Sequence, residues 1–350
     1  MKWNIKVFEE PGILFADRME EADAAPFEQT EELMKPGFEQ DRKLLAILTN
    51  MEQENAMPLL CPRTEPVNLS FEELADKVTE LLQEGEHFAA VSLVDGALKG
   101  EHASDPEVRL VAASIFEHIR FYEFVVPLLQ ELTTAFEEQI RQDAISIRLA
   151  RALRKSGMQE DVSEHLEGPL KNEELPPILR AEGLLLKAIC KGPEEGLEIL
   201  DEMLDYAEEH LGDHRLVADA LELHADYLSD DEPKKAEKFY HAAGKMLAEL
   251  GDPYFFGLNE RFVVHFLRHE CYKEAIDLSH EMFEMLKQAG GPPIASVPYF
   301  VFASIAHKAL GDEERSQFAT KTAHEINNVE AHRIEQMLAL ALAKEEPAAS

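Results

Sequence analysis

His265 and His269 stand four residues apart, and Cys271 follows two positions later. On a helix, that step places both imidazoles on one face, which is how a metal site begins. A structural zinc needs four ligands, and the local spacing indicates no further one. The acid pairs Glu194–Glu195 and Glu208–Glu209 have the residue type of paired catalytic carboxylates, but adjacent acids are also what the solvated face of a helix carries. The sequence has no phosphate-cradling glycine loop, no HExxH and no GxSxG. The chain is therefore expected to have no catalytic residue, metal site or cofactor, and not to be an enzyme.

Cys61, Cys190 and Cys271 are odd in number and far apart, so they form neither a disulfide framework nor a paired metal spacing. They are expected to be small buried hydrophobes. The balance of 69 acids against 34 bases, a net charge of −35, repels polyphosphate and argues against nucleic acid as a partner. Glu9 and Glu10 stand where a signal peptide would need its apolar run, and runs such as 184–186 and 338–342 are too short to span a bilayer. A reduced, cytoplasmic protein with no membrane insertion is the expectation.

The elements that position these residues read as helices. From Ser70 onward apolar residues recur at three- and four-residue spacing, and Ser70 with Glu73 forms a capping box that starts a helix at Phe71. Breaks follow at Gly85, 104–106, Arg120, 142–143, Gly157, 176–177, 192–193, 229–231, 251–253, Glu270, 290–293 and Gly311. Helices of three to four turns between such short breaks make antiparallel hairpins. Units begin near 71, 106, 143, 176, 217, 256 and 297. They share a ladder: Ala90, Val94 and Ala97; Ala236, Tyr240 and Ala243; Ala275 and Met282; Ser316 and Ala323. A small residue early in the second helix lets the first helix approach, and a bulky one a turn later fills the space beside it.

Residues 71–327 resemble the tetratricopeptide repeat on this ladder and its turn glycines. Only three units keep the turn glycine, no unit has the tryptophan often seen in the first helix, and unit three ends its second helix early at Gly168–Pro169. A generic helical-hairpin repeat shares the same pattern. The expected fold is all-α: a right-handed α-solenoid of about seven antiparallel helical hairpins, with residues 328–344 as a C-terminal capping helix and 345–350 as a mobile tail. Residues 1–70 stand outside the repeat. Trp3, Ile5 and Val7 alternate like a short strand, 27–35 and 38–55 look helical, and seven bases against fourteen acids are no DNA-reading composition. They are expected to form an N-terminal cap or small appended unit.

Charge separates the two helices of each hairpin. In units three, four, six and seven the first helices hold ten bases and three acids, while the second helices hold five bases and nineteen acids. In the resembled family the first helices line a concave groove that takes peptides. Alignment by packing residues then directs Arg148, Arg151, Arg154 and Lys155 of unit three to that groove. From unit four come Arg180 and Lys187, from unit six Arg261, Val264, Leu267 and Arg268, and from unit seven Val301, Phe302 and Ile305. The resemblance implies a protein or peptide segment as partner. A basic central groove would suit an acidic or carboxylate-bearing one, because arginine's fork matches a carboxylate. Two alternatives stay open: these arginines pair with acids on neighbouring helices, or the chain is a regulatory receptor, since bacterial peptide-pheromone receptors and phosphatase regulators look similar.

Overall fold

The computed structural model describes residues 65–158 and 161–342. The expected strand at Trp3–Val7, the helices in 27–55, Cys61 and the tail 345–350 lie outside the described residues, as do the last two residues of the expected capping helix. Fourteen α-helices run through the described chain, with no strand among the described residues. Contacts divide it into two compact units, the first through His210 and the second from Leu211.

The first unit holds α1 (Phe71–Gln83), α2 (His87–Ala97), α3 (Pro106–His118), α4 (Tyr122–Leu132), α5 (Gln139–Lys155), α6 (Val162–Glu167) and α7 (Pro177–His210). Sequence neighbours pack as pairs, and the first helices also stack on one another, α1 on α3 and α5 on α7. α7 breaks at Gly192, whose φ of +71° suits glycine, with Pro193 directly behind it. Its two halves are the two helices of hairpin four. α6 ends at Glu167, and Pro169–Lys171 form a 3-10 turn where Gly168–Pro169 predicted an early stop.

The second unit holds α8 (Arg215–Leu228), α9 (Pro233–Leu250), α10 (Phe255–Arg268), α11 (Tyr272–Gln288), α12 (Val297–Ala309), α13 (Glu313–Ile326) and α14 (Asn328–Ala341). α8 pairs with α9, α10 with α11 and α12 with α13, and α14 covers both α12 and α13 as a capping helix does.

Local chemistry fixes the ends of these helices. Ser70 Oγ accepts from the Glu73 amide (3.3 Å) while the Glu73 carboxylate accepts from the Ser70 amide (3.0 Å), completing the expected capping box. Asp105, Asp312 and Asn327 cap α3, α13 and α14 through their side-chain oxygens. The hairpin turns reuse one device. Gly85, Arg120, Gly157, Glu270 and Gly311 have φ between +60° and +79°. The next amide in each case bonds back to the carbonyl five residues earlier, as in Glu86 to Leu81 (2.8 Å) and Cys271 to Phe266 (2.8 Å). This ending satisfies carbonyls that the helix would leave bare, and Arg120 and Glu270 adopt it although they have a Cβ.

The ladder read from the sequence is the core. Ala90, Val94, Ala236, Ala243, Ala275 and Ala323 are wholly buried, and Tyr240, Met282 and Ser316 are nearly so. Leu149, Ala150 and Leu153 of α5 and Phe262 and Val263 of α10 also pack inside, which leaves the intervening cations to face outward or toward the next helix.

Candidate functional site

The first-helix cations of the first unit form a ladder of ion pairs. Arg148 Nε donates to Glu117 Oε2 (2.6 Å) and its Nη2 to Ser114 Oγ (2.9 Å), both on α3. Arg151 Nε donates to Glu117 Oε1 (3.0 Å), and Arg151 Nη1 reaches forward to Glu182 on α7 (2.7 Å). Glu117 therefore holds two guanidiniums, and Arg151 ties three successive first helices together. The nearby carboxylates hold the Arg151 guanidinium above its ordinary value, against burial, which pulls the other way. Arg180 caps the end of hairpin three, donating to the carbonyls of Leu170 (3.1 Å) and Asn172 (2.6 Å).

In the second unit the same device is built around a buried acid, Glu222. Arg261 on α10 pairs with Glu222 (2.8 Å) and with Asp226, both on α8. Tyr254 donates to Glu222 Oε1 (2.8 Å), and Tyr240 donates to Asp226. One guanidinium thus serves two carboxylates with two phenols closing the set. Burial, with Asp226 beside it, lifts the Glu222 carboxyl to about 7 against the pull of Arg261 and the Tyr254 hydroxyl. Burial and the adjacent carboxylates hold both phenols protonated well above their ordinary range.

The cations expected to line a groove differ in what they already hold. Arg148, Arg151, Arg180 and Arg261 are committed to partners within the chain. Arg154 and Lys155 are half-buried at the end of α5. Lys187 is half-buried and has no ion-pair partner among the described residues. Arg268 is 44% exposed, with only long contacts to Asp230 and to the Ala341 carbonyl (3.4 Å each). The apolar residues divide as well: Val264 and Ile305 are half-buried, whereas Leu267 (3%), Val301 (2%) and Phe302 (0%) are core. For these last three the groove assignment is corrected. For Val301 and Phe302 the reason is that helix α12 is apolar on most of its surface and offers no polar contrast from which to tell its inner side.

The arginines stand out in the sequence, but the acids that hold them do not. Glu117, Glu182 and Asp226 lie 31 to 35 positions from their arginine. That is close to one repeat, so a search for acid–arginine pairs at the repeat period would have found them. A cavity of about 550 Å³ among α11, α12 and α13 also had no sequence signal, because its lining, including Phe283, Tyr299, Phe300, His307, Arg315 and Phe318, comes from three separate helices.

The histidine pair does not gather ligands. His265 Nδ1 lies 2.8 Å from Ser229 Oγ and His269 Nε2 3.5 Å from the same oxygen, while the Cys271 thiol points to the His269 carbonyl (3.6 Å). Burial, with His269 next, lowers His265 to about 4, so its imidazole is neutral. Cys190 and Cys271 are half-buried free thiols, not wholly buried ones, and burial raises the pKa of both. Among the described residues, the ligand-type side chains that do converge are His324, His332 and Glu335.

No protein-family model matches the chain, and no curated protein matches it. Solved structures do. A tetratricopeptide repeat protein from Parabacteroides merdae ATCC 43184 is similar over 77% of this chain and 98% of its own, at 14% identity and a TM-score of 0.51. BtubC (BKLC) from P. vanneervenii matches over 70% of this chain and 96% of its own, at 16% identity and a TM-score of 0.46. A Rap protein complexed with competence and sporulation factor matches over 89% and 94%, at 15% identity and a TM-score of 0.46. The likeness to the Parabacteroides merdae protein agrees with the hairpin geometry. The fold is a tetratricopeptide-like helical repeat. No helix among the described residues is long and apolar enough to cross a membrane.

Proposed function

We propose that the chain is a non-catalytic protein- or peptide-binding scaffold that takes an acidic or carboxylate-bearing segment on its first-helix side. The observation that carries this reading is the contrast between committed and available cations. Arg148, Arg151 and Arg261 brace successive first helices, so the backbone there is held in place before any partner arrives. Lys187 in the first unit and Arg268 in the second stand on the same type of helix with charge to offer; half-buried Val264 lies one turn before Arg268, and half-buried Ile305 is on the next first helix. Held helices lower the ordering cost of binding, and a cation orients a carboxylate without having to carry the whole affinity. The most strongly perturbed groups, Glu222, Tyr240, Tyr254 and Arg261, enclose and satisfy one another, which favours a structural over a catalytic role for them.

Selection from a random peptide library displayed with free carboxyl termini tests the reading. Enriched peptides should be acidic, and Lys187→Ala or Arg268→Ala should weaken a recovered peptide by roughly three- to tenfold, according to which unit it binds, as loss of one partly exposed charge contact does. No enrichment, or affinities unchanged in both variants, would sink the proposal. Charge reversal at Arg151 is the poorer probe, since it would set a third carboxylate between Glu117 and Glu182 and disturb the fold itself. Small-angle scattering of the peptide complex separates a constitutive scaffold from a receptor that compacts around its ligand.

A further inference from the structure

We infer that His324, His332 and Glu335 form a site for one divalent transition-metal ion, Zn²⁺ by ligand type, that fastens the capping helix α14 to α13. His324 lies in the last turn of α13. His332 and Glu335, one helical turn apart on α14, face it from the other side of the Asn327 corner. His324 Nε2 is 3.0 Å from Glu335 Oε1, His332 Nδ1 is 3.2 Å from Glu335 Oε2, and the ligand atoms all lie within 4.8 Å of one another. Ligands about 2.0–2.2 Å from a tetrahedral zinc stand about 3.3 Å apart; the two imidazole nitrogens approach different oxygens of Glu335, so the carboxylate lies between them and side-chain rotation has to close the wider separations.

The proton inventory points the same way. His324 Nδ1 is 2.9 Å from Asn328 Oδ1, an acceptor, so a neutral ring that donates there turns its Nε2 lone pair toward Glu335. A lone pair and a carboxylate oxygen 3.0 Å apart need a proton or a cation between them. The Asn328 bond is also the kind of outer contact that fixes the ring of a metal-bound histidine.

The supports of the site are rigid. Ala323 on α13 and Ala331, Ile334 and Leu338 on α14 are wholly buried, which fixes the two helices that present the ligands. His332 remains 60% exposed in its side chain, giving an ion a way in. Two imidazoles and one carboxylate suit zinc over magnesium or calcium, and three protein ligands leave a fourth position for water or a partner's side chain.

Equilibrium dialysis of the tag-free full chain against ZnCl₂, after treatment with a chelator, tests the site. One equivalent of Zn²⁺ should bind, MgCl₂ should not compete, and bound Zn²⁺ should slow amide exchange across 313–341. His324→Ala, His332→Ala and Glu335→Gln should each weaken binding tenfold or more, with circular dichroism unchanged from the wild type. Because two of these side chains are partly exposed, Glu335→Gln serves as the isosteric check if an alanine variant disturbs the cap. Absence of Zn²⁺ binding by the wild type overturns the proposal. So does an affinity that survives in His332→Ala and Glu335→Gln but is lost when the thiols are alkylated.

Discussion

The two units use one device in opposite surroundings. In each, an arginine on a first helix reaches an acid on the preceding first helix, about one repeat earlier in the chain. In the first unit the charges balance, with Arg148 and Arg151 against Glu117 and Glu182, and the arginine side chains keep 19% and 37% of their surface exposed. In the second unit one arginine answers two acids, and the Glu222 side chain is only 8% exposed. Water reaches every member of the first set, whereas in the second it is kept from Glu222, although Asp226 and Arg261 keep 25% and 21% of their side-chain surface. The first should therefore act as an adjustable brace, and the second as a fixed junction whose members depend on one another.

The largest effect should come from Arg261→Met. It leaves Glu222 and Asp226 facing each other without a cation. Removing one partner of a buried pair costs about 3–5 kcal/mol. Urea unfolding should show that loss, and amide exchange should rise within 215–268 while changing little in the first unit. A cost below 1 kcal/mol would mean that the junction is hydrated and that the contrast between the units is false.

The next effects are in pH dependence, and two groups of the second unit oppose each other. Glu222 holds its proton up to about 7 in the folded chain. An unfolded carboxyl releases it near pH ~4.5, so this group's stabilising contribution falls as pH rises from ~4.5 to ~7. His265 stays neutral down to about 4 when folded. An unfolded imidazole takes a proton below pH ~6.5, so its contribution is lost as pH falls from ~6.5 to ~4. The slopes largely offset between pH ~4.5 and ~6.5. Glu222→Gln should expose the His265 term, so that the melting temperature climbs with pH across that window more steeply than in the wild type. His265→Gln should do the reverse, leaving stability that declines with pH. Parallel profiles for all three proteins would show that neither group titrates as its burial implies.

The helices and hairpin turns were legible because they repeat and depend on short-range chemistry. Ser70 and Glu73 announce α1, and the breaks at Gly85, Gly157 and Gly311 mark left-handed turns. Arg120 and Glu270 read as breaks by spacing alone, although a side chain with a Cβ gives no hint of positive φ. The ladder residues Ala90, Ala236 and Ala275 identified themselves by size and position. What the arginines do was not legible in the same way, because a helical face is set by neighbours within four residues while the Glu117–Arg151 and Asp226–Arg261 pairs span a repeat. Phe302 and Val301 failed for a different reason. An almost wholly apolar helix has two faces that look alike in sequence, and only packing tells them apart. His324, His332 and Glu335 lie across a helix corner, so a search within one helix sees only the His332–Glu335 half.

The smallest effect is the sharpest test of the comparison. A double-mutant cycle on Glu117→Gln and Arg151→Met measures the coupling within the brace. Partly exposed pairs contribute roughly 0.2–1 kcal/mol, and Arg148 stays on Glu117 when Arg151 is gone, so the coupling should fall in that range. It should also shrink in 1 M NaCl, where charges beyond about 3 Å are screened, whereas more of the Arg261 loss should persist in the same salt because Glu222 is shut away from ions. If the Glu117–Arg151 coupling reached 3 kcal/mol and ignored salt, the brace would be a second fixed junction. The first-helix pairs of the first unit would then hold as firmly as those of the second, and the contrast between the two units would fall.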